Sequence, residues 1–125
     1  MSRRIQISAG GASLPAALAD GPTADLLWEA LPIRGKASTW GEEIYFAIPL
    51  QAGREKGARE EMRVGEIAYW PPGSAFCIFF GPTPASTGEA PRAASPVNPL
   101  GQVEGDAALF KAVRGGAEVR LERAP

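Results

Sequence analysis

Two runs near the N-terminus alternate apolar and polar positions at period two. Arg4-Ile5-Gln6-Ile7-Ser8-Ala9 reads as a first strand and Ala12 to Ala19 as a second, with Gly10-Gly11 as the turn between them. Thr23 to Leu31 carries Ala24, Leu27, Trp28 and Leu31 on one helical face. Thr23 is placed as the N-cap, Asp25 falls in the first turn and Pro32 stops the helix. Ser38 to Pro49 reads as one strand with Trp40, Glu42, Ile44, Phe46 and Ile48 on its apolar face, which leaves Glu42 as a carboxylate on the wrong side.

Gln51 to Arg63 is charged, contains Gly53 and Gly57, and reads as a solvated connection. Val64 to Ala68 leads as a strand into the aromatic pair Tyr69-Trp70. After the Pro71-Pro72-Gly73 turn, Ser74 to Phe80 returns antiparallel to it. From Ala75 onward that run is apolar and too short for a helix, as in a strand buried on both faces. Gly81 to Pro99 holds Pro82, Pro84, Pro91, Pro96 and Pro99 and reads as a long loop without regular structure. Val97 to Val103 is placed as a short strand, at a sheet edge because of Pro99. Asp106 to Arg114 is a second short helix with Asp106 as N-cap and Gly115 beyond its end, and Glu118 to Arg123 is a final alternating strand. Many short strands with two short helices make a mainly β, antiparallel fold. A closed barrel is favoured because the last strand can pair with the first and remove the open edges.

Composition narrows the chemistry. The chain has 125 residues, enough for one domain with one core, so residues 1–125 are read as a single domain. The net charge of −1 gives nucleic acid or an anionic membrane no electrostatic attraction. There is no histidine, which removes the commonest general base and transition-metal ligand and excludes Ser-His-Asp and Cys-His catalysis. Cys77 is the only cysteine, so no intramolecular disulfide or thiolate zinc site can form, and it reads as a buried, inert thiol. No clustered carboxylates suggest a hard metal ion, and no cofactor is expected. The N-terminal segment lacks an unbroken apolar stretch of the signal-peptide kind, and no run approaches a membrane span, so the expected location is cytoplasmic.

Three stretches in order carry a resemblance: Thr39-Trp40-Gly41-Glu42-Glu43-Ile44-Tyr45-Phe46, then Val64 to Gly73, then Phe79-Phe80-Gly81-Pro82-Thr83-Pro84. Together with Ala94-Ser95-Pro96-Val97-Asn98-Pro99-Leu100-Gly101, this pattern resembles the prokaryotic family of small cyclophilin-like proteins of unknown function. The resemblance implies a closed, mostly antiparallel barrel of about eight strands with a surface cleft. It does not imply prolyl isomerase activity. Cyclophilins set an arginine against the prolyl amide, and the corresponding stretch here, Glu43-Ile44-Tyr45-Phe46, has none.

The candidate ligand-binding residues are Trp40, Glu42, Tyr69, Trp70 and Phe80, with Thr83 and Asn98 nearby. Glu42 is the acid of a cleft floor, Tyr69 and Trp70 are rings on which a planar or apolar ligand stacks, and Phe80 stands at a strand end. Thr83 and Asn98 offer polar groups to a ligand carbonyl, against an alternative of local turn bonding. The expected function is binding of a small molecule or peptide in this cleft. Two alternatives stay open: a divergent prolyl isomerase or Glu42-dependent acid–base enzyme, and a protein-interaction module, including a homodimer, with an exposed strand edge or the Pro-rich loop as its contact.

Overall fold

The computed structural model describes residues 3–124. The N-terminal hairpin forms as its alternation predicts: β1 (Arg3–Ala9) and β2 (Ala12–Leu18) pair around Gly10-Gly11 and bury Ile5, Ile7, Ala9, Leu14, Ala16 and Leu18. Helix α1 (Pro22–Ala30) follows with Pro22 in its first turn, where the missing N–H costs nothing. Gly21 occupies the cap position, and the side chain of Thr23 bonds elsewhere instead of capping. Then come β3 (Ile33–Lys36), β4 (Ser38–Thr39), β5 (Glu43–Ala47), β6 (Arg59–Glu61), β7 (Glu66–Trp70), β8 (Ala75–Phe79), β9 (Arg92–Val103) and β10 (Glu118–Arg123). A 3₁₀ stretch, Ala107–Ala112, stands where the second helix is expected. Asp106 caps it, its Oδ1 accepting from the Ala108 N–H at 3.0 Å.

The strands form one antiparallel sheet of ten, in the order β3-β10-β1-β2-β9-β7-β8-β5-β4, with β6 pairing on β9. This corrects the expected closed barrel of about eight strands. The last strand does pair with the first, yet β10 also pairs with β3, so the open edges move to β3 and β4. Those two strands are separated only by Ala37, so the sheet curls until its ends meet in the chain itself. Among the described residues no ladder joins β3 to β5. A side chain fills the seam instead: Gly35 of β3 lies so close to Phe46 that a Cβ there would sit 2.4 Å from the ring.

The expected strand over Ser38 to Pro49 is a tight hairpin. Ser38 pairs with Tyr45, Thr39 with Ile44, and the Trp40 N–H donates to Glu43 O at 2.9 Å. Gly41 and Glu42 form the two-residue tip, with glycine at the first position at φ 60°, the pattern favoured by type II′ turns. The proline-rich region is also more ordered than expected. β9 begins at Arg92 and runs between β2 and β7, not at an edge, with Pro99 at a register shift against β7 that needs no N–H from it.

β8 is buried along its whole length, as its apolar run predicts. On its inner side Phe76 and Ile78 join the main core with Ile44, Phe46, Ile67 and Leu100, and Phe46 and Phe76 pack with ring centroids 5.9 Å apart. On its outer side Cys77 and Phe79 join Ala68, Met62, Ala93 and Val97 in a second, smaller cluster. That cluster lies under the pairing of β6 with the first half of β9, so the charged segment before β7 is not wholly solvated: its Met62 is only 4% exposed. No described helix is long and apolar enough to cross a membrane.

Because Gly35 makes the seam, Gly35→Ala is expected to lower stability by about 1–3 kcal/mol through overpacking against Phe46. Urea denaturation of the variant measures this, and an unchanged midpoint would show that the seam is loosely packed.

Candidate functional site

The outer cluster does not close completely. At its rim lies a cavity of about 200 Å³ lined by Trp40, Glu43, Tyr45 and Trp70 on one side and by Ala93, Ala94 and Val97 of β9 on the other. Strand alternation explains the first group. Tyr69 and Trp70 are neighbours on β7 and point to opposite faces, so Trp70 joins the outer cluster and Tyr69 the inner core. Glu43 and Tyr45 share the outer face of β5. The hairpin turn sets Trp40 directly across from Glu43, so the indole lies on that face too.

Trp70 is held in place. Its indole N–H donates to Ser95 Oγ of β9 at 2.7 Å. The ring lies over the Pro71-Pro72-Gly73 turn, where a Cβ on Gly73 would meet it at 2.7 Å. One wall of the cavity is therefore preformed.

Glu43 is 6% exposed, and its Oε1 is buried with no hydrogen-bond partner. Burial pushes its pKa up from 4.5 to about 7, with the neighbouring Cys77 thiol acting weakly the other way. The thiol is itself pushed well above its ordinary value by burial, and the Glu43 charge adds to the rise. Such a thiol is a poor nucleophile, in keeping with the inert role expected for Cys77.

The structure brings together two of the seven residues singled out in the sequence, Trp40 and Trp70, and places the other five outside the cavity. Glu42 sits at the hairpin tip over Gly81, 3.5 Å from the Lys111 ammonium. Tyr69 is 1% exposed, and its hydroxyl donates to Leu50 O at 3.0 Å while accepting from the Ala52 N–H at 3.1 Å. It forms the floor of a separate shallow depression beside Pro71 and Pro72. Phe80 is buried in the main core 6.4 Å from the ring of Phe110. Thr83 ties the proline-rich loop down, donating to Arg92 O and accepting from the Ala85 N–H. Asn98, fully buried, links three segments: its amide donates to Thr23 Oγ1 at 3.1 Å and Gly53 O at 2.9 Å, and its Oδ1 accepts from the Glu55 N–H at 2.9 Å. Glu43, Tyr45 and the β9 residues Ala93, Ala94 and Val97 are the cavity residues that the sequence reading does not reach. The glycine at position 41, read as a turn, is the signal that finds Glu43.

A family model described as cyclophilin-like matches residues 3–122. The chain belongs to the cyclophilin-like family. This cyclophilin-like chain is similar in structure to a hypothetical protein from Archaeoglobus fulgidus, with a TM-score of 0.83 and 34% identity over 98% of this chain and 95% of the other. It also shares its fold with McbB, solved in complex with tryptophan, at a TM-score of 0.65 and 17% identity; the match covers 95% of this chain and 44% of McbB. No curated protein matches it in sequence.

The raised carboxyl gives this cyclophilin-like protein a pH-dependent stability. Between 4.5 and about 7 the folded chain keeps a proton that the unfolded chain has released. Stability is therefore highest with Glu43 protonated, falls as pH rises through that window and levels off above it. Relative to Glu43→Gln, the wild type is expected to lose up to about 3 kcal/mol between about pH 5 and about pH 8. Urea denaturation across that range checks it, and parallel pH profiles for the two proteins would contradict it.

Proposed function

We propose that this cyclophilin-like protein binds a small molecule or the side chain of a peptide in the cavity between β5, β7 and the first half of β9, without prolyl isomerase chemistry. The observation that carries the reading is a preformed, indole-walled recess that contains one buried acid with an unsatisfied oxygen. Ligand sites combine mostly apolar walls with a few placed polar groups in this way. Isomerase chemistry has no support in the lining, which includes no arginine to meet a prolyl amide.

The carboxyl at about 7 favours a second reading, a general acid–base catalyst, because a group half-ionised near neutrality both gives and takes protons. Glu43 takes the role first assigned to Glu42. The interaction-module reading gains less: the large exposed apolar side chains Leu26, Val64 and Leu109 lie on three separate segments.

Native mass spectrometry of protein purified from its own host is expected to show a retained small molecule, whose release shifts tryptophan emission. Trp70→Ala is expected to abolish both the retained mass and the shift. A bare chain whose emission answers to no peptide or metabolite would overturn the binding reading. Chemical conversion of the retained compound, lost in Glu43→Gln, would move the assignment to catalysis.

A further inference from the structure

Two buried carboxylates on the outer face of the sheet make a comparison. Glu66 is 7% exposed and fully satisfied, paired with the Arg59 guanidinium and accepting from the Arg63 N–H at 2.9 Å. Glu43 is 6% exposed, and among the described residues no lysine or arginine pairs with it. A buried carboxylate without a partner is costly, and the fold supplies a cation to one of these acids and not to the other. The cavity beside Glu43 has no cationic residue in its lining, so a cation that pairs with it there comes from outside the chain.

The rest of the lining narrows the partner. Trp40, Trp70 and Tyr45 supply aromatic rings, a residue type that attracts cations, and Ala93 and Val97 offer apolar contact to a hydrocarbon stem. A metal ion is a poor fit, because it needs several oxygen ligands and no group of three metal-binding side chains occurs among the described residues. The unsatisfied Oε1 calls for a hydrogen-bond donor, which favours an ammonium that carries N–H over a quaternary one. The volume of about 200 Å³, set against ~30 Å³ per water, admits a short alkyl chain and little more.

We infer that this cavity takes a primary alkylammonium group, whose N–H donates to the Glu43 carboxylate while its methylenes lie against Trp40 and Trp70. The inference rests on the binding reading above and adds the chemical class. The other titratable groups facing Glu43 are Cys77 on β8 and Tyr45 on its own strand; β9 contributes none to the lining. An arriving ammonium stabilises the ionised carboxyl, so binding below about pH 7 expels its proton.

The test is calorimetric titration with n-butylammonium and with butan-1-ol, its neutral match, with tryptophan emission followed in parallel. Butylammonium is expected to bind at least roughly tenfold more tightly than the alcohol. Its affinity is expected to rise from about pH 6 to about pH 8, with proton release at the lower pH. Glu43→Gln should bring the two affinities within roughly threefold of each other. Trp40→Leu, which keeps an apolar wall without the π face, should weaken butylammonium several-fold and leave the alcohol unchanged. Nα-acetyl-lysine N-methylamide separates the two sources: tighter binding than butylammonium assigns the site to a lysine side chain, weaker binding to a free alkylamine, and either supports the ammonium. Equal affinity for amine and alcohol, or affinity that falls as pH rises, overturns the inference in favour of a neutral ligand and leaves the binding reading standing. No heat or emission change with any of these compounds overturns the ammonium inference, while the binding reading is decided separately by the retained mass.

Discussion

Strand β8 has no face in water, and most of the molecule follows from that. A strand with apolar residues at five consecutive positions needs cover on both sides. The curled sheet supplies one cover with Phe46, Ile67 and Leu100. The other comes from β6 and the first half of β9, which fold back over Cys77 and Phe79. The second cover is shorter than the sheet beneath it, and the cavity lies where it ends, at Ala93, Ala94 and Val97. A polar group on the outer face of β5 then has no route to bulk water except through that opening. Glu43 occupies such a position, and its raised pKa is the electrostatic consequence of a packing problem solved elsewhere.

Much of the architecture is legible in the residues, because strong periodicity and strong punctuation coincide. The Ile5-Ile7-Ala9 alternation with its glycine pair, the β7–β8 pair and the doubly buried run after Gly73 all fall where pattern places them. Reading fails where two elements share one pattern. Thr39 to Phe46 alternates except at Glu42, so period alone makes it one strand with a misplaced acid. The reversal is signalled only by Gly41, whose positive φ the sequence permits but does not display. The error then propagates by parity: in one strand Trp40 and Glu42 share a face, whereas across a two-residue turn Trp40 and Glu43 do.

Proline density misleads for a related reason. Five prolines between Gly81 and Pro99 suggest a loop, and Pro99 suggests an edge. A proline is excluded from a central strand only where its N–H would have to donate, and the shift between Ile67 and Ala68 in the partner strand removes that demand. Asn98, beside it, meets the opposite demand. Buried at a junction of α1, the segment before β6 and β9, it must satisfy its own amide, and it does so with Thr23, Gly53 and Glu55. An amide next to a proline-rich loop looks like a ligand contact in sequence. In the fold it ties together the ends of the segments that carry the outer cover.

The contrast between Glu43 and Glu42 shows how a site differs from a structural acid. Adjacent in sequence, they lie on opposite sides of the hairpin. Glu42 at the tip also has a buried oxygen without a hydrogen bond, Oε2, but that atom lies 3.5 Å from the Lys111 ammonium, which partly neutralises its charge. Among the described residues no hydrogen-bond donor or cation meets the buried Oε1 of Glu43, while Glu66 on β7, two strands away, shows that the same face can supply one. An unpaired acid destabilises the folded chain whenever it is ionised, and burial offsets that in part by keeping it protonated up to about pH 7. A guest that neutralises the charge removes that penalty where the carboxyl is ionised, and where it is protonated the guest must displace the proton. The one rigid indole wall adds to binding, since Trp70 is fixed by Ser95 and Gly73. Affinity in so small a cavity therefore depends less on contact area than on whether the guest carries the charge that the protein leaves out.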